Sequence, residues 1–116
     1  MEDWTGPGPE SLYIYHNDGS GSFTEAESIV IDDRLTGTAI GDFDCDGESD
    51  IMVGTLRGKI YFLAGDGNGS FATPSVVFDD AGVVYGLDAA DLDNDGRLDL
   101  AWSDTLNKEV KLAYQQ

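Results

Sequence analysis

The 116-residue sequence predicts an all-β protein of propeller type, built from four-stranded antiparallel blades, and three observations carry that expectation. Two acidic loops share the pattern D-x-D-x-D-G-x-x-D, at Asp42–Asp50 and Asp91–Asp99, and start 49 residues apart. A glycine-rich turn also recurs, Asn17-Asp-Gly-Ser-Gly-Ser-Phe23 against Gly65-Asp-Gly-Asn-Gly-Ser-Phe71, at an offset of 48. The segments between these landmarks are short apolar runs bounded by Gly and Asp, and none shows helical periodicity long enough to compete. A period near 48 residues holding about four short strands is the mark of a propeller blade.

In chain order, the first well-marked strand is the aromatic-rich Leu12–His16, which feeds the first glycine turn. The β-branched run Ser28–Ile31 follows and ends in the paired acids Asp32 and Asp33. Thr38–Asp42 leads into the first acidic loop, and Asp50–Thr55 leaves it. Lys59–Ala64 repeats the aromatic strand before the second glycine turn, and Pro74–Asp79 repeats the β-branched run, again closing on two acids, Asp79 and Asp80. Gly86–Asp91 and Asp99–Ser103 flank the second acidic loop, and Glu109–Tyr114 is a third copy of the aromatic strand. A candidate strand near the N-terminus lies around Asp3–Gly6.

The acidic loops carry the chemistry. Carboxylates at loop positions 1, 3, 5 and 9, with Gly at position 6 for the sharp turn, suit a hard cation that takes six to eight oxygens at about 2.3–2.6 Å. Four carboxylates so crowded repel one another unless a cation neutralises them. An EF-hand would need a bidentate Glu at position 12 between helices. That position holds Val53 and Trp102, and the flanks (Thr38-Ala-Ile-Gly, Ile51-Met-Val-Gly, Leu87-Asp-Ala-Ala, Leu100-Ala-Trp) have strand length, so the unit is β-loop-β. An Asp-Gly hairpin turn alone accounts for one Asp per loop, not four. Magnesium prefers fewer carboxylates and keeps its waters, so calcium is the expected ion, at two sites.

With these residues the chain resembles FG-GAP or VCBS-type repeats, over roughly residues 10–116. Such repeats build the β-propeller of integrin α chains and of many secreted bacterial and fungal proteins, some lectins among them. The resemblance implies that each acidic loop joins the first and second strands of a blade and holds one Ca²⁺. The matching ligands are Asp42, Asp44, Asp46 and Asp50, then Asp91, Asp93, Asp95 and Asp99, with the main-chain carbonyls of Glu48 and Arg97 at position 7. Cys45 stands where the second loop has Asn94, at a position that supplies no ligand.

The family's strand order makes Thr38–Asp42 an inner strand, Asp50–Thr55 a second, Lys59–Ala64 a third and Pro74–Asp79 an outer one, which is one complete blade. The repeat units then run 1–36 (a partial blade), 37–85 (a full blade) and 86–116 (a partial blade), about two and a half in all. Closed propellers need four to eight blades, and fewer than three repeats rarely bury a stable core. The expected outcome is self-association through open blade edges, giving a ring if the rotation closes and a filament if it does not, or else a place within a longer propeller. Both ends duplicate a third strand, which counts against simple ring closure.

Six basic against 23 acidic residues give a net charge of −17, of which the loop carboxylates supply eight acids. Two Ca²⁺ would bring it to about −13. That field excludes nucleic acid and anionic membranes as partners. The lone Cys45 cannot form an intrachain disulfide. Residues 1–9 lack the apolar core of a signal peptide, and no run approaches membrane-spanning length. Asn68-Gly-Ser70 is an N-glycosylation sequon in an exposed turn. Loops of this type hold calcium at about 10⁻⁴–10⁻³ M in extracellular modules, which places the protein outside the cell or on its surface.

The functions that remain are a calcium-stabilised structural or adhesive module and a lectin-like module that binds a glycan. Trp4, Tyr85 and His16 are the candidate ligand-binding residues. Trp102 aligns with Val53 and Tyr61 lies in a strand, so both are read as core; Tyr85 aligns with Thr36 at the start of an inner strand and is read as more exposed. The single His16 and the absence of any Ser-His-Asp or Cys-His set argue against an enzyme.

Overall fold

The structure, a computed structural model, describes residues 9–115 and contains nine strands in three antiparallel sheets. β1 (Glu10–Asn17) and β2 (Phe23–Ile31) form the first sheet. β3 (Leu35–Gly41), β4 (Asp50–Thr55), β5 (Ile60–Leu63) and β6 (Ser75–Phe78) form the second, paired in that order. β7 (Val84–Ala90), β8 (Asp99–Asp104) and β9 (Glu109–Ala113) form the third. No helix occurs among the described residues, so none there is long and apolar enough to cross a membrane. Sheets of two to four strands following the sequence repeat are consistent with propeller-like units. The candidate strand around residues 3–6, and Trp4 with it, lie outside the described residues.

Each strand sits where the apolar runs place it, with early starts at β1 and β7, by two residues each, and at β2 and β3. β2 begins at Phe23, directly after the turn, and β3 begins at Leu35, ahead of Thr38. A register shift between Leu35 and Gly37 lets β3 begin early while Thr38 still pairs with Val53. β4 is buried at all six positions, because sheets pack on both of its faces. Such a strand reads as a continuous apolar run without alternation.

Two apolar clusters join the three sheets. Ile31, Ile51, Val53 and Leu63, with Leu12, Ile14 and Ile29 against them, seal the first sheet to the second. Met52, Ile60, Leu100 and Trp102, with Phe62, Phe78 and Ala113 against them, seal the second sheet to the third. Trp102 meets Phe78 edge to face at 5.3 Å and donates its Nε1–H to the Ala81 carbonyl at 3.0 Å. Burying a side chain such as Ile60 or Leu63 stabilises by about 1.5–3 kcal/mol. Gly54 marks how close the sheets come, since a Cβ there would collide with Val84.

The connections segregate to two rims. One rim carries the acidic loops between β3 and β4 and between β7 and β8, together with the glycine turns at residues 18–22 and 66–70. The opposite rim carries the β4–β5 and β8–β9 turns. There Thr55 and its counterpart Asp104, both fully buried, tie the hairpins. Thr55 Oγ1 binds the Lys59 backbone, while Asp104 accepts from Val83, Leu106 and Asn107 and pairs with Lys111 at 3.2 Å.

Candidate metal centres

Both acidic loops fold alike, and their backbone amides hold the carboxylates in place. Asp42 Oδ1 accepts from the Asp46 amide at 3.1 Å and its Oδ2 from the Gly47 amide at 2.8 Å. In the second loop Asp91 takes Asp95 and Gly96 at the same two distances. Asp46 Oδ1 accepts from the Glu48 amide and Asp95 Oδ1 from the Arg97 amide. Position 4 takes a left-handed φ in both loops, 62° at Cys45 and 61° at Asn94, which curls the chain so that positions 1, 3 and 5 converge.

Position 9 does more than supply a ligand. Asp50 is fully buried; its Oδ2 accepts from the Phe43 amide at 3.0 Å and its Oδ1 from the Gly65 amide at 2.8 Å. One carboxylate therefore ties the acidic loop to the start of the glycine turn after β5. Asp99 does the same, accepting from the Leu92 and Gln115 amides at 2.9 and 2.8 Å. Gly65 has no room for a side chain, because a Cβ there would strike the Ser49 carbonyl oxygen. The sequence pattern identifies these aspartates only as ligands, and their second task becomes visible when the turn following the third strand is in place.

The geometry brings one carboxylate oxygen from each of Asp42, Asp44, Asp46 and Asp50 within 4.8 Å of the others, and the set Asp91, Asp93, Asp95 and Asp99 does the same. The electrostatic cost of this crowding falls on position 3. The Asp44 carboxyl is pushed up to about 6 by loss of water around it, by its hydrogen bond to Asp46 and by the charges of Asp50 and Asp46. Asp93 is raised by the same causes, with Asp95 and Asp99 as neighbours. Asp42 and Asp91 are held below the usual range, chiefly by the Gly47 and Gly96 amides. An all-oxygen donor set with one strained carboxylate fits a hard divalent cation, which would replace the repulsion with coordination. The Cys45 thiol is exposed and is no part of the set.

The two loops differ at position 7, where the main-chain carbonyl is the expected ligand. Glu48 adds an acid to the first loop, whereas Arg97 places its Nε 3.6 Å from Asp95 Oδ2 in the second.

The two candidate ligand-binding residues that the structure describes, His16 and Tyr85, are not brought together. Nε2 of the exposed His16 donates to the Gly69 carbonyl at 3.2 Å, and Glu27 accepts from the Phe71 amide at 3.1 Å; both contacts tie the first sheet to the second glycine turn. Tyr85 lies on the opposite rim in an open cavity of about 330 Å³ with Glu10, Arg34, Leu35, Thr36 and Leu56. Glu10 and His16 stand at opposite ends of β1, roughly 20 Å apart at strand rise. Trp102 and Val53 are both core, as their alignment implies, and Tyr61 packs against the first cluster.

The FG-GAP-like repeat family model matches this chain twice, over residues 4–53 and 42–102. Neither the curated proteins nor the solved structures give a match to it.

Proposed function

This chain belongs to the FG-GAP-like repeat family, and from that premise we propose that it is a calcium-stabilised repeat module serving a structural or adhesive role outside the cell. The observation that carries the reading is the pair of four-carboxylate clusters, each at the same place in its repeat. When bound, calcium supplies charge neutralisation and oxygen coordination. The chain's own residues do the rest: Asp42 and Asp91 shape the loop, Asp50 and Asp99 fix it to the sheet, and Asp44 and Asp93 hold the charge that an ion relieves. With dissociation constants of about 10⁻⁴–10⁻³ M, 1 mM calcium would stabilise the fold by about 0.4–1.4 kcal/mol per site.

The test is calorimetric titration with calcium, paired with thermal melts in calcium and in chelator. Two ions per chain and a higher melting temperature in calcium are expected, both reduced in Asp44→Asn and Asp93→Asn. A chain that takes up no calcium at millimolar concentration would overturn the proposal.

One observation favours a second reading, a carbohydrate-binding role. The cavity beside Tyr85 combines an aromatic face with the Glu10–Arg34 ion pair (2.7 Å), the kind of surface that takes a polyhydroxylated ring. Glycan-array binding that is lost in Tyr85→Ala, with the melting temperature intact, would support it. Binding that is unaltered by that substitution would remove the cavity from consideration.

A further inference from the structure

The three sheets use one packing rule twice. Each sheet has a forward face, which receives the next sheet, and a rear face, which lies on the preceding one. The second sheet shows both. Its forward face presents Met52, Ile60 and Phe62 to the third sheet, and its rear face presents Val53, Tyr61 and Leu63 to the first.

The repeat maps these faces onto the ends of the chain. Leu12 and Ile14 correspond to Ile60 and Phe62 and form the forward face of the first sheet, packed on the second. The alternate residues Tyr13 and Tyr15 correspond to Tyr61 and Leu63, the rear face, and are 53% and 55% exposed. Val30 of β2, paired with Ser11 on the same face as Tyr13, is 65% exposed. In the third sheet, Leu100, Trp102 and Ala113 form the packed rear face. Val110 and Leu112 correspond to Ile60 and Phe62 of the forward face and are 73% and 53% exposed. Among the described residues, one forward face and one rear face thus have no sheet packed on them, each of a kind the chain buries elsewhere. The radius of gyration is 14.8 Å, against about 13 Å for a compact chain of this length, in keeping with sheets stacked in an open row.

We infer that the uncovered β8–β9 face, centred on Val110 and Leu112, docks the β1–β2 face of a second copy, centred on Tyr13 and Tyr15. The contact continues the sheet-on-sheet packing already present twice within the chain. It is head to tail, so each copy keeps one free face of each kind unless the stack closes. It joins faces and leaves strand edges free, and it requires no ion, so it goes beyond the calcium reading.

The experiment is light scattering on the full chain over a range of concentrations at about 0.15 M salt, where screening limits repulsion between acidic copies to about 8 Å. Tyr13→Glu and Val110→Glu are exposed substitutions, and Leu112→Glu probes the second face again. Wild type is expected to exceed the monomer mass increasingly with concentration, and each variant alone to stay monomeric. A mixture of Tyr13→Glu with Val110→Glu is expected to form a 1:1 pair that grows no further, because one intact face of each kind remains. A monomeric wild type, variants that assemble like wild type, or a mixture that stays monomeric would each overturn the inference. Calcium-dependent melting of the same variants reports on the metal sites separately, since none of the three substitutions touches a loop.

Discussion

Replacing Cys45 by Asn tests the loop geometry most directly. Position 4 takes a left-handed φ near 60° in both loops, yet only the second loop has a residue that tolerates it. A left-handed conformation costs an ordinary L-residue about 1–2 kcal/mol, and Asn escapes part of that through its short polar side chain. Cys45 is exposed and makes no core contact, so nothing is lost by replacing it. The net gain for Cys45→Asn is about 1 kcal/mol, which at about 2.1 cal/mol/K per residue moves the melting temperature of a chain of this size by about 4 °C. The assay is thermal unfolding followed by circular dichroism, in excess calcium with a reductant present. Cys45→Ser is the control, since it removes the thiol and keeps the strain. The reciprocal Asn94→Cys should lose a similar amount. If Cys45→Ser gains as much as Cys45→Asn, the thiol and not the backbone limits stability; if neither gains, position 4 is not strained.

Position 3 should show a reversal of sign. Asp44 is raised from its ordinary 3.8 to about 6, so the ion-free fold binds a proton more tightly than the unfolded chain and loses stability as pH rises through that window. Asp44→Asn should therefore raise the melting temperature in chelator at pH 7.5 and lower it in calcium, and calcium affinity should fall as pH drops below about 6, read by titration at several pH values. The first loop should bind calcium roughly threefold or more tightly than the second, because Glu48 attracts the ion where Arg97 repels it and holds Asp95; Arg97→Glu should bring the second site level, as read by two-site calorimetry. Trp102→Ala should cost about 3–5 kcal/mol through the cavity it leaves against Phe78. Trp102→Phe, which orphans the Ala81 carbonyl, should cost about 1–3 kcal/mol, both read by denaturant unfolding.

Much of this architecture can be read from local rules. The aspartate spacing places the two clusters, and the glycine turns and β-branched runs place the strands, because turn chemistry and strand length are properties of a few adjacent residues. What stays hidden depends on neighbours far along the chain. Alternation separates Leu12 and Ile14 from Tyr13 and Tyr15, but all four are apolar, so hydropathy cannot say which pair faces inward. β4 has no alternation at all, since both its faces are buried. Asp50 reads as one ligand among four until Gly65, fifteen residues on, brings its amide to the same carboxylate. The left-handed turn at Cys45 is concealed for a different reason, because Cys gives no signal for it and only the repeat partner Asn94 does.

These hidden features share a physical cause. In each loop the backbone amides satisfy the carboxylates of positions 1, 5 and 9 and fix their geometry. Position 3 carries the unrelieved repulsion, and position 4 in the first loop carries the backbone strain. Each loop is thus an amide-held cradle whose cost sits at identifiable residues. A cation that neutralises position 3 would stabilise the junction between the inner and second strands of its repeat without remodelling the sheets. The sheets hold together through the two apolar clusters, which contain none of the ligand side chains but take Phe43 from the first acidic loop and Leu98 from the second. Metal binding and sheet stacking therefore meet at Phe43, whose ring lies in the cluster while its amide holds Asp50, and a substitution there should move both readouts, whereas one at Asp44 or Asp93 should move only the metal readout.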